Sequence, residues 1–369
     1  MAKHLYNVTH MSFEPTQPFD LPLLPPDDIA TDLQINQLLV DARAQLGELK
    51  GYSYSLPNPL LLLSPAIIKE SLASSEIENI NTTLIDVLEN QLFSEEERKE
   101  PNKEVLRYRD AIMWGFDNLD DYSLSTRLIS GIRDTLMPEQ PAGYRQQQNA
   151  IKDEKRNKII YTPPIQAKIS QYMSNFEDFV NGDSPKELDP LLRAIIGHYQ
   201  FEAIHPFSDG NGRTGRILMV LGLVQKKLLD FPILYISGYI SENKNDYYRH
   251  LLAVTTDGNW KSYILFMLKG FLEQAKNTKD YIFRIKNLYY ELKDKIRNEN
   301  SSVYSADLVE ILFSTPILSP SKLSELLKCH YTTASKYLKA LEKMGILVHK
   351  KVGRYQLYAN SRLIKLLHN

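Results

Sequence analysis

Apolar residues recur at helical spacing from Asp32 to Leu49 and again from Ser64 to about Ile80, through SPAIIKESLASSEIENI. The stretch NTTLIDVLENQ begins a third helix with Asn81 or Thr82 as its cap, and the region from Lys103 to Leu136 also reads as helix. The pattern changes between Pro138 and Pro164. PAGYRQQQNAIKDEKRNKIIYTPP is turn-rich and polar, with apolar residues gathered near its end, and a strand hairpin fits it best. Helical spacing resumes from Ile165 to Val180 and from Leu188 to about Phe201, where Leu191, Leu192, Ile195, Ile196 and Tyr199 form one stripe. RTGRILMVLGLVQKKL is apolar almost all round, as expected of a helix at a domain centre. Further helices are predicted over 245–255 and 261–298. Ahead of all of these, FEPTQPFDLPLLPPDD reads as an extended arm lying on the body of the protein.

The last segment has a different pattern. It predicts a helix from Ser321, a turn at His330 and Tyr331, and a helix from Thr332 to Met344 that Gly345 ends. The alternating runs ILVHK and YQLYA, joined through KVGR, predict a hairpin. Lys336, Lys339 and Lys343 share one helix face opposite Leu338 and Leu341, and Lys350, Lys351 and Arg354 decorate the hairpin. This order resembles a winged helix-turn-helix, and those six cations are its candidate DNA contacts.

Composition adds an asymmetry. The 369 residues carry a net charge of −1, yet from Ser321 to Asn369 there are 10 Lys or Arg against 2 Asp or Glu. Such a split points to modules with different partners. Charged residues make up 24% of the chain, which has no apolar run of 18 residues, so a membrane span is not expected. The start lacks the order of a secretory signal, and the single cysteine, Cys329, excludes an internal disulfide and a cysteine-cluster zinc site. A cytoplasmic protein is expected, with Cys329 as an apolar filler.

The richest chemistry lies in IHPFSDGNGRTGRI, Ile204 to Ile217. Pro206 obliges His205 to leave the helix and turn towards extended geometry. DGNG is a tight turn whose glycines, Gly210 and Gly212, let backbone amides converge on an anion. The helix that follows, from about Arg213, turns its free N–H groups and dipole to the same place. Arg213 and Arg216 share a helix face and can clamp polyphosphate oxygens. Asp209 can hold a divalent cation bridging those oxygens, and His205 stands just upstream as a candidate general base.

HPFSDGNGRTGR resembles in full the Fic family motif, His-x-Phe-x-Asp/Glu-Gly-Asn-Gly-Arg-x-x-Arg. The resemblance runs from about Pro25 to Gln274, with GYRQQQNAIKDEKRNKIIYTPP similar to the family's flap hairpin and SGYISENKNDYYRHLL similar to its nucleotide-side helix. It implies a mostly α fold, a Fic helical core with a β-hairpin flap, here followed by a winged helix. The implied division is 1–100, 101–300 and 301–369. It also implies transfer of AMP from ATP to a protein Ser, Thr or Tyr hydroxyl, including hydroxyls of the enzyme itself. In that reading His205 deprotonates the hydroxyl and Asp209 holds Mg²⁺ across the α- and β-phosphates. The amides of Gly210, Asn211 and Gly212 cradle phosphate, and Asn211 contacts the α-phosphate. Arg213 and Arg216 take the β and γ groups, with Thr214 and Gly215 between them in the site. Phe207 is an anchor for the loop. Tyr247 and Tyr248 lie near adenine in the resemblance and read equally as packing residues. Where relatives often carry an asparagine at the base, this chain has Thr255.

SSEIEN is similar to the family's inhibitory signature, with Ser74, Glu78 and Asn79 in the defining positions. It implies that Glu78 enters the ATP site, and its expected partner is Arg216. Two other functions stay open at this point: a DNA-binding regulator whose core senses ATP, and removal of AMP by the same site with Glu78 orienting water. The implied partners are a protein substrate and no membrane, with DNA and a second copy of the chain as candidates.

Overall fold

The structure, a computed structural model, describes residues 13–26, 32–153, 156–185 and 188–368, without the side chains of 61–63. Helix α1 spans Leu33–Ser53, capped by Asp32, whose carboxylate accepts the N–H groups of Gln34 and Ile35. Helix α2 (Pro59–Ile77) starts earlier than its pattern suggests and stops before Glu78. Thr83, rather than Asn81 or Thr82, caps α3 (Leu84–Asn90). The region expected as helix holds three, α4 (Glu100–Asp117), α5 (Leu119–Tyr122) and α6 (Thr126–Leu136), broken at Asn118 and again where Ser123 takes a positive φ of 50°.

The hairpin is shorter than expected, β1 (Ile151–Asp153) against β2 (Lys158–Tyr161), antiparallel with Lys152 opposite Ile159. The flanks stay irregular because side chains take up their carbonyls: Arg145 donates to the carbonyls of Gln147 and Pro164, and Gln148 to that of Pro163. Residues 13–26 of the proline-rich arm lie along this region. Phe19 N–H bonds to the Thr162 carbonyl at 2.9 Å, and Asn175 receives Leu24 N–H at 2.8 Å and returns a bond at 3.1 Å. The remainder of the arm falls outside the described residues.

Helices α7 (Ile169–Asn181), α8 (Pro190–Ile204) and α9 (Asn211–Gln225) follow. Both α8 and α9 are buried along nearly their whole length, so the all-apolar pattern of α9 does mark the centre of the molecule. Asp189 caps α8 through Leu191 N–H, and Pro190 occupies its first turn. Helix α10 (Ile236–Glu242), too short to show a period, precedes α11 (Lys244–Asp257) and α12 (Trp260–Glu299). The 40 residues of α12 run about 60 Å at 1.5 Å each, and α1 packs along them.

The C-terminal part comprises α13 (Ala306–Ser314), β3 (Ile317–Leu318), α14 (Pro320–Leu327), α15 (Tyr331–Lys343), β4 (Val348–Val352), β5 (Tyr355–Ala359) and α16 (Ser361–His368). Its sheet order is β3-β5-β4. The helix, turn, helix and hairpin expected from the sequence are all formed, with Leu338 and Leu341 fully buried and the three α15 lysines exposed. Helices α13 and α16 extend the unit and pack on α2 and α12. Cys329 is half-buried in the turn between α14 and α15. Among the described residues no helix is long and apolar enough to cross a membrane.

Candidate active site

The site forms in the six-residue turn between α8 and α9. His205 ends α8, but not in extended geometry: its φ and ψ are 49° and 58°, left-handed, while its N–H still bonds Phe201. A residue before proline is barred from the right-handed helix, and here the left-handed alternative lets the imidazole meet the helix end. His205 Nδ1 lies 3.3 Å from the carbonyl oxygen of Glu202. A carbonyl only accepts, so Nδ1 carries the proton and Nε2 keeps its lone pair. Partial burial, helped by the charge of Arg145, pushes the imidazole down to about 4, so it is neutral near pH 7.

Two arginines that the sequence reading passed over hold the loop. Arg145 donates from Nε to the His205 carbonyl at 2.9 Å, and its own N–H bonds the Pro206 carbonyl. Arg133, fully buried, lies under the Phe207 ring and bonds the Pro141 carbonyl at 2.7 Å. Arg145 belongs to no periodic pattern, whereas Arg133 takes a place on the buried stripe of α6 with Ile129, Ile132 and Leu136, where a charged residue at apolar spacing was the available signal. Phe207 is 0% exposed, an anchor as expected. Asn211 closes the loop with its side chain, accepting Phe207 N–H and donating to the Phe207 carbonyl, both at 2.9 Å. The main-chain N–H of Asn211 and the second N–H of its amide are not used in this closure.

Gly210 sits at the start of α9 with φ 81°, a conformation that glycine adopts without strain. A Cβ on Gly212 would lie 2.5 Å from Glu78 Oε1. The carboxylate of Glu78 thus rests where the turn and the first N–H groups of α9 attract an anion. Arg216 Nη2 donates to it at 2.7 Å and to the Ser74 carbonyl at 3.0 Å, and Arg216 Nε donates to Ser74 Oγ at 2.8 Å. Burial raises the Glu78 carboxyl, but Arg216, with Arg213 and His205, more than reverses this and holds it below the usual carboxylate range. Arg216 is 1% exposed.

Why Ser74, Glu78 and Asn79 are spaced as they are follows from the end of α2. Ile80 N–H bonds the Ser75 carbonyl and Asn79 N–H that of Glu76, the double bond pattern of a helix stopped by a left-handed residue. That residue is Asn79, φ 63°, whose side chain also receives Lys244 Nζ at 3.1 Å. Asparagine and glycine tolerate this geometry best. The stop turns Glu78 out of the helix direction and over the α9 terminus, while Ser74 stays one turn back beside Arg216.

The remaining expected residues fall in different places. Arg213 is 3% exposed and pairs with Glu104 of α4 at 2.9 Å. Asp209 is exposed at the mouth of the loop, one oxygen receiving Gly210 N–H. Tyr247 takes the packing role, the second of its two expected readings: it is 1% exposed, and its hydroxyl is 2.8 Å from His198 Nε2 inside the core. Tyr248, 41% exposed, is the residue of the pair that faces outward. Thr255 bonds Tyr199 across the core at 2.9 Å. Thr214 is buried, and Gly215 leaves room for the Glu202 carboxyl, which burial pushes up to about 7.

Three family models match in chain order: Fic/DOC family N-terminal over residues 36–117, Fic/DOC family over 123–223, and the C-terminal domain of SoFic-like protein adenylyltransferases over 288–363. The chain belongs to the Fic family. Similarity therefore reaches beyond Gln274 into the C-terminal part. Proteins named protein adenylyltransferase Fic match part of the chain: that of Drosophila willistoni is 31% identical over 120 residues, 31% of this chain and 22% of its own, and that of Nematostella vectensis 30% identical over 132 residues, 36% and 28%. The chain thus spans about a quarter of the length of these curated relatives. In fold it is similar to a Fic family protein from Desulfovibrio desulfuricans G20, 21% identical, TM-score 0.55, covering 91% of this chain and 98% of that one. A Fic domain containing signaling protein from Bacteroides thetaiotaomicron, 17% identical, gives a TM-score of 0.50 over 69% of this chain and 97% of its own.

Proposed function

We propose that this Fic protein transfers AMP from ATP to a protein hydroxyl and that Glu78 holds the transfer in check. The observation that carries the reading is the Glu78 carboxylate on the α9 terminus, paired with Arg216 at 2.7 Å, beside a neutral His205 whose Nε2 is free to accept a proton. An anion of the protein's own occupies ground that a phosphate would share. With Glu78 withdrawn, ATP would lie with its phosphates along the turn and on Arg216. The target hydroxyl oxygen would bond to the α-phosphorus as the bond to pyrophosphate breaks, and the hydroxyl proton would pass to His205 Nε2. The products are an AMP ester of the protein and pyrophosphate. Asp209, an exposed carboxylate beside the phosphate ground, fits a Mg²⁺ ion, which when bound would neutralise phosphate charge. The name of the relatives, protein adenylyltransferase, supports this reading.

Label transfer from α-labelled ATP tests it. A charge-assisted bond of about 1.5 to 3 kcal/mol corresponds to roughly tenfold to a hundredfold in the competent population, so Glu78→Gly is expected to raise transfer by that factor. Self-modification would show it first. Adding His205→Ala should then lower the rate by about 10² to 10⁴ while ATP still binds. Equal transfer by parent and Glu78→Gly defeats the restraint, and near-normal turnover without His205 defeats the base.

A second partner is supported by the exposure of Lys336, Lys339 and Lys343 on one face of α15. We read this face as a contact for the phosphates of duplex DNA, a role that fits a cytoplasmic protein.

A further inference from the structure

The wing strands β4 and β5 are not free. Lys350 Nζ lies 2.8 Å from Glu89 Oε1, and Arg354 Nη2 lies 2.9 Å from Glu97 Oε1. The Tyr355 hydroxyl donates to Glu97 at 2.6 Å, and the Tyr355 ring packs on Phe93 with centroids 4.7 Å apart. Two of the wing cations expected to meet DNA phosphates are therefore facing acids of the protein itself, while Lys351 stays exposed.

These acids lie in a particular part of the chain. Glu78, which pairs with Arg216, stands just before the segment, and Glu104, which pairs with Arg213, stands just after it. One stretch of 27 residues, from Glu78 to Glu104, thus contacts both arginines of the phosphate turn at its ends and the wing at its middle. Only Asn79 to Thr83 separate Glu78 from α3, which carries Glu89. The connection from α3 back to the stop of α2 is therefore only five residues long.

We infer that Glu89 and Glu97 occupy the places of DNA phosphates on the wing, so that duplex DNA and this acidic stretch compete for Lys350 and Arg354, and DNA binding loosens Glu78. The proposal rests on the DNA reading given above. The strength of the contacts suits a releasable latch. The Lys350 and Arg354 side chains are 59% and 73% exposed against 13% for Glu89 and 37% for Glu97, and ion pairs open to water on the cation side are weak and screened by salt. A duplex offers a row of phosphates and releases counterions when it binds, which gives it the advantage at low ionic strength. Linkage then works in both directions: whatever frees the wing should strengthen DNA binding, and DNA should raise transfer at the Fic site.

The test uses the full chain, a fluorescein-labelled duplex and α-labelled ATP. Glu89→Gln with Glu97→Gln keeps shape and removes both charges. It is expected to tighten duplex binding by about threefold to tenfold at low salt. Saturating duplex should raise label transfer by the parent by a similar factor and add little to the double variant. Equal duplex affinity in parent and double variant overturns the latch while the DNA reading stands. Absence of duplex binding by both at low salt overturns the DNA reading and the latch with it. Duplex binding that tightens as expected but leaves parent transfer unchanged overturns the link to Glu78 alone.

Discussion

The imidazole of His205 shows how one side chain is prepared by its backbone. The left-handed turn before Pro206 brings Nδ1 to the Glu202 carbonyl, which fixes the tautomer, and partial burial keeps the ring neutral. The working form of a general base is the unprotonated one. A group held at about 4 keeps that form as pH falls through 6.5, where an ordinary histidine is already half protonated. Label transfer by the Glu78→Gly variant should therefore hold from pH 8 to below 6, with its acid limb no higher than about 4. The nearby Glu78 carboxylate raises the imidazole, so removing it moves the limb further down, not up. A fall in single-turnover rate centred on 6.5 would contradict this account of the base. The place of this residue at the end of a helix beside a glycine turn was legible from HPFSDGNGR, because a histidine before proline and such a turn are local features. Its tautomer was not, since that depends on a carbonyl three residues back in a geometry that proline makes uncommon.

At the scale of elements, the Glu78–Arg216 contact depends on how α2 ends. The helical pattern of SPAIIKESLASSEIENI gives the helix but runs on to Ile80, past its real stop at Ile77. Periodicity cannot mark a stop made by a left-handed residue whose partners are carbonyls of its own last turn. The same limit explains the hairpin, whose flanks are tied by Arg145 and Gln148 rather than by strand pairing. It also explains Tyr247 and Tyr248, adjacent on α11, which point to opposite fates that only packing decides. Asn79 supplies the test. Asn79→Gly keeps the left-handed turn and should leave stability within about 0.5 kcal/mol, whereas Asn79→Ala should cost about 1 to 2 kcal/mol in urea denaturation. If the stop also aims Glu78, the alanine variant should show raised label transfer and the glycine variant should not. Equal stability of the two would remove the left-handed cap from the argument.

Across the whole molecule, the order of modules was legible and their joints were not. The charge asymmetry and the lysine spacing single out the C-terminal part, yet α13 and α16, which seat it on α2 and α12, lie outside any motif. Glu89 and Glu97 look like ordinary surface acids until the fold brings the β4–β5 hairpin to them. The two cationic surfaces consequently differ in availability: Lys350 and Arg354 are engaged, whereas Lys336, Lys339 and Lys343 are exposed on α15. Each lysine that meets a phosphate adds about 0.9 to the slope of log affinity against log salt. Replacing all three by alanine should therefore lower that slope by about 2 to 3 and weaken duplex binding alike for different sequences. Transfer in the absence of DNA should be unaffected, because these lysines lie on a face remote in the chain from the phosphate turn and their helix packs through Leu338 and Leu341. Duplex titrations of parent and triple variant over a range of salt would decide it. An unchanged slope would mean that α15 is not the surface that meets the phosphates, and the β4–β5 hairpin with its acidic partners would then be left as the first point of contact.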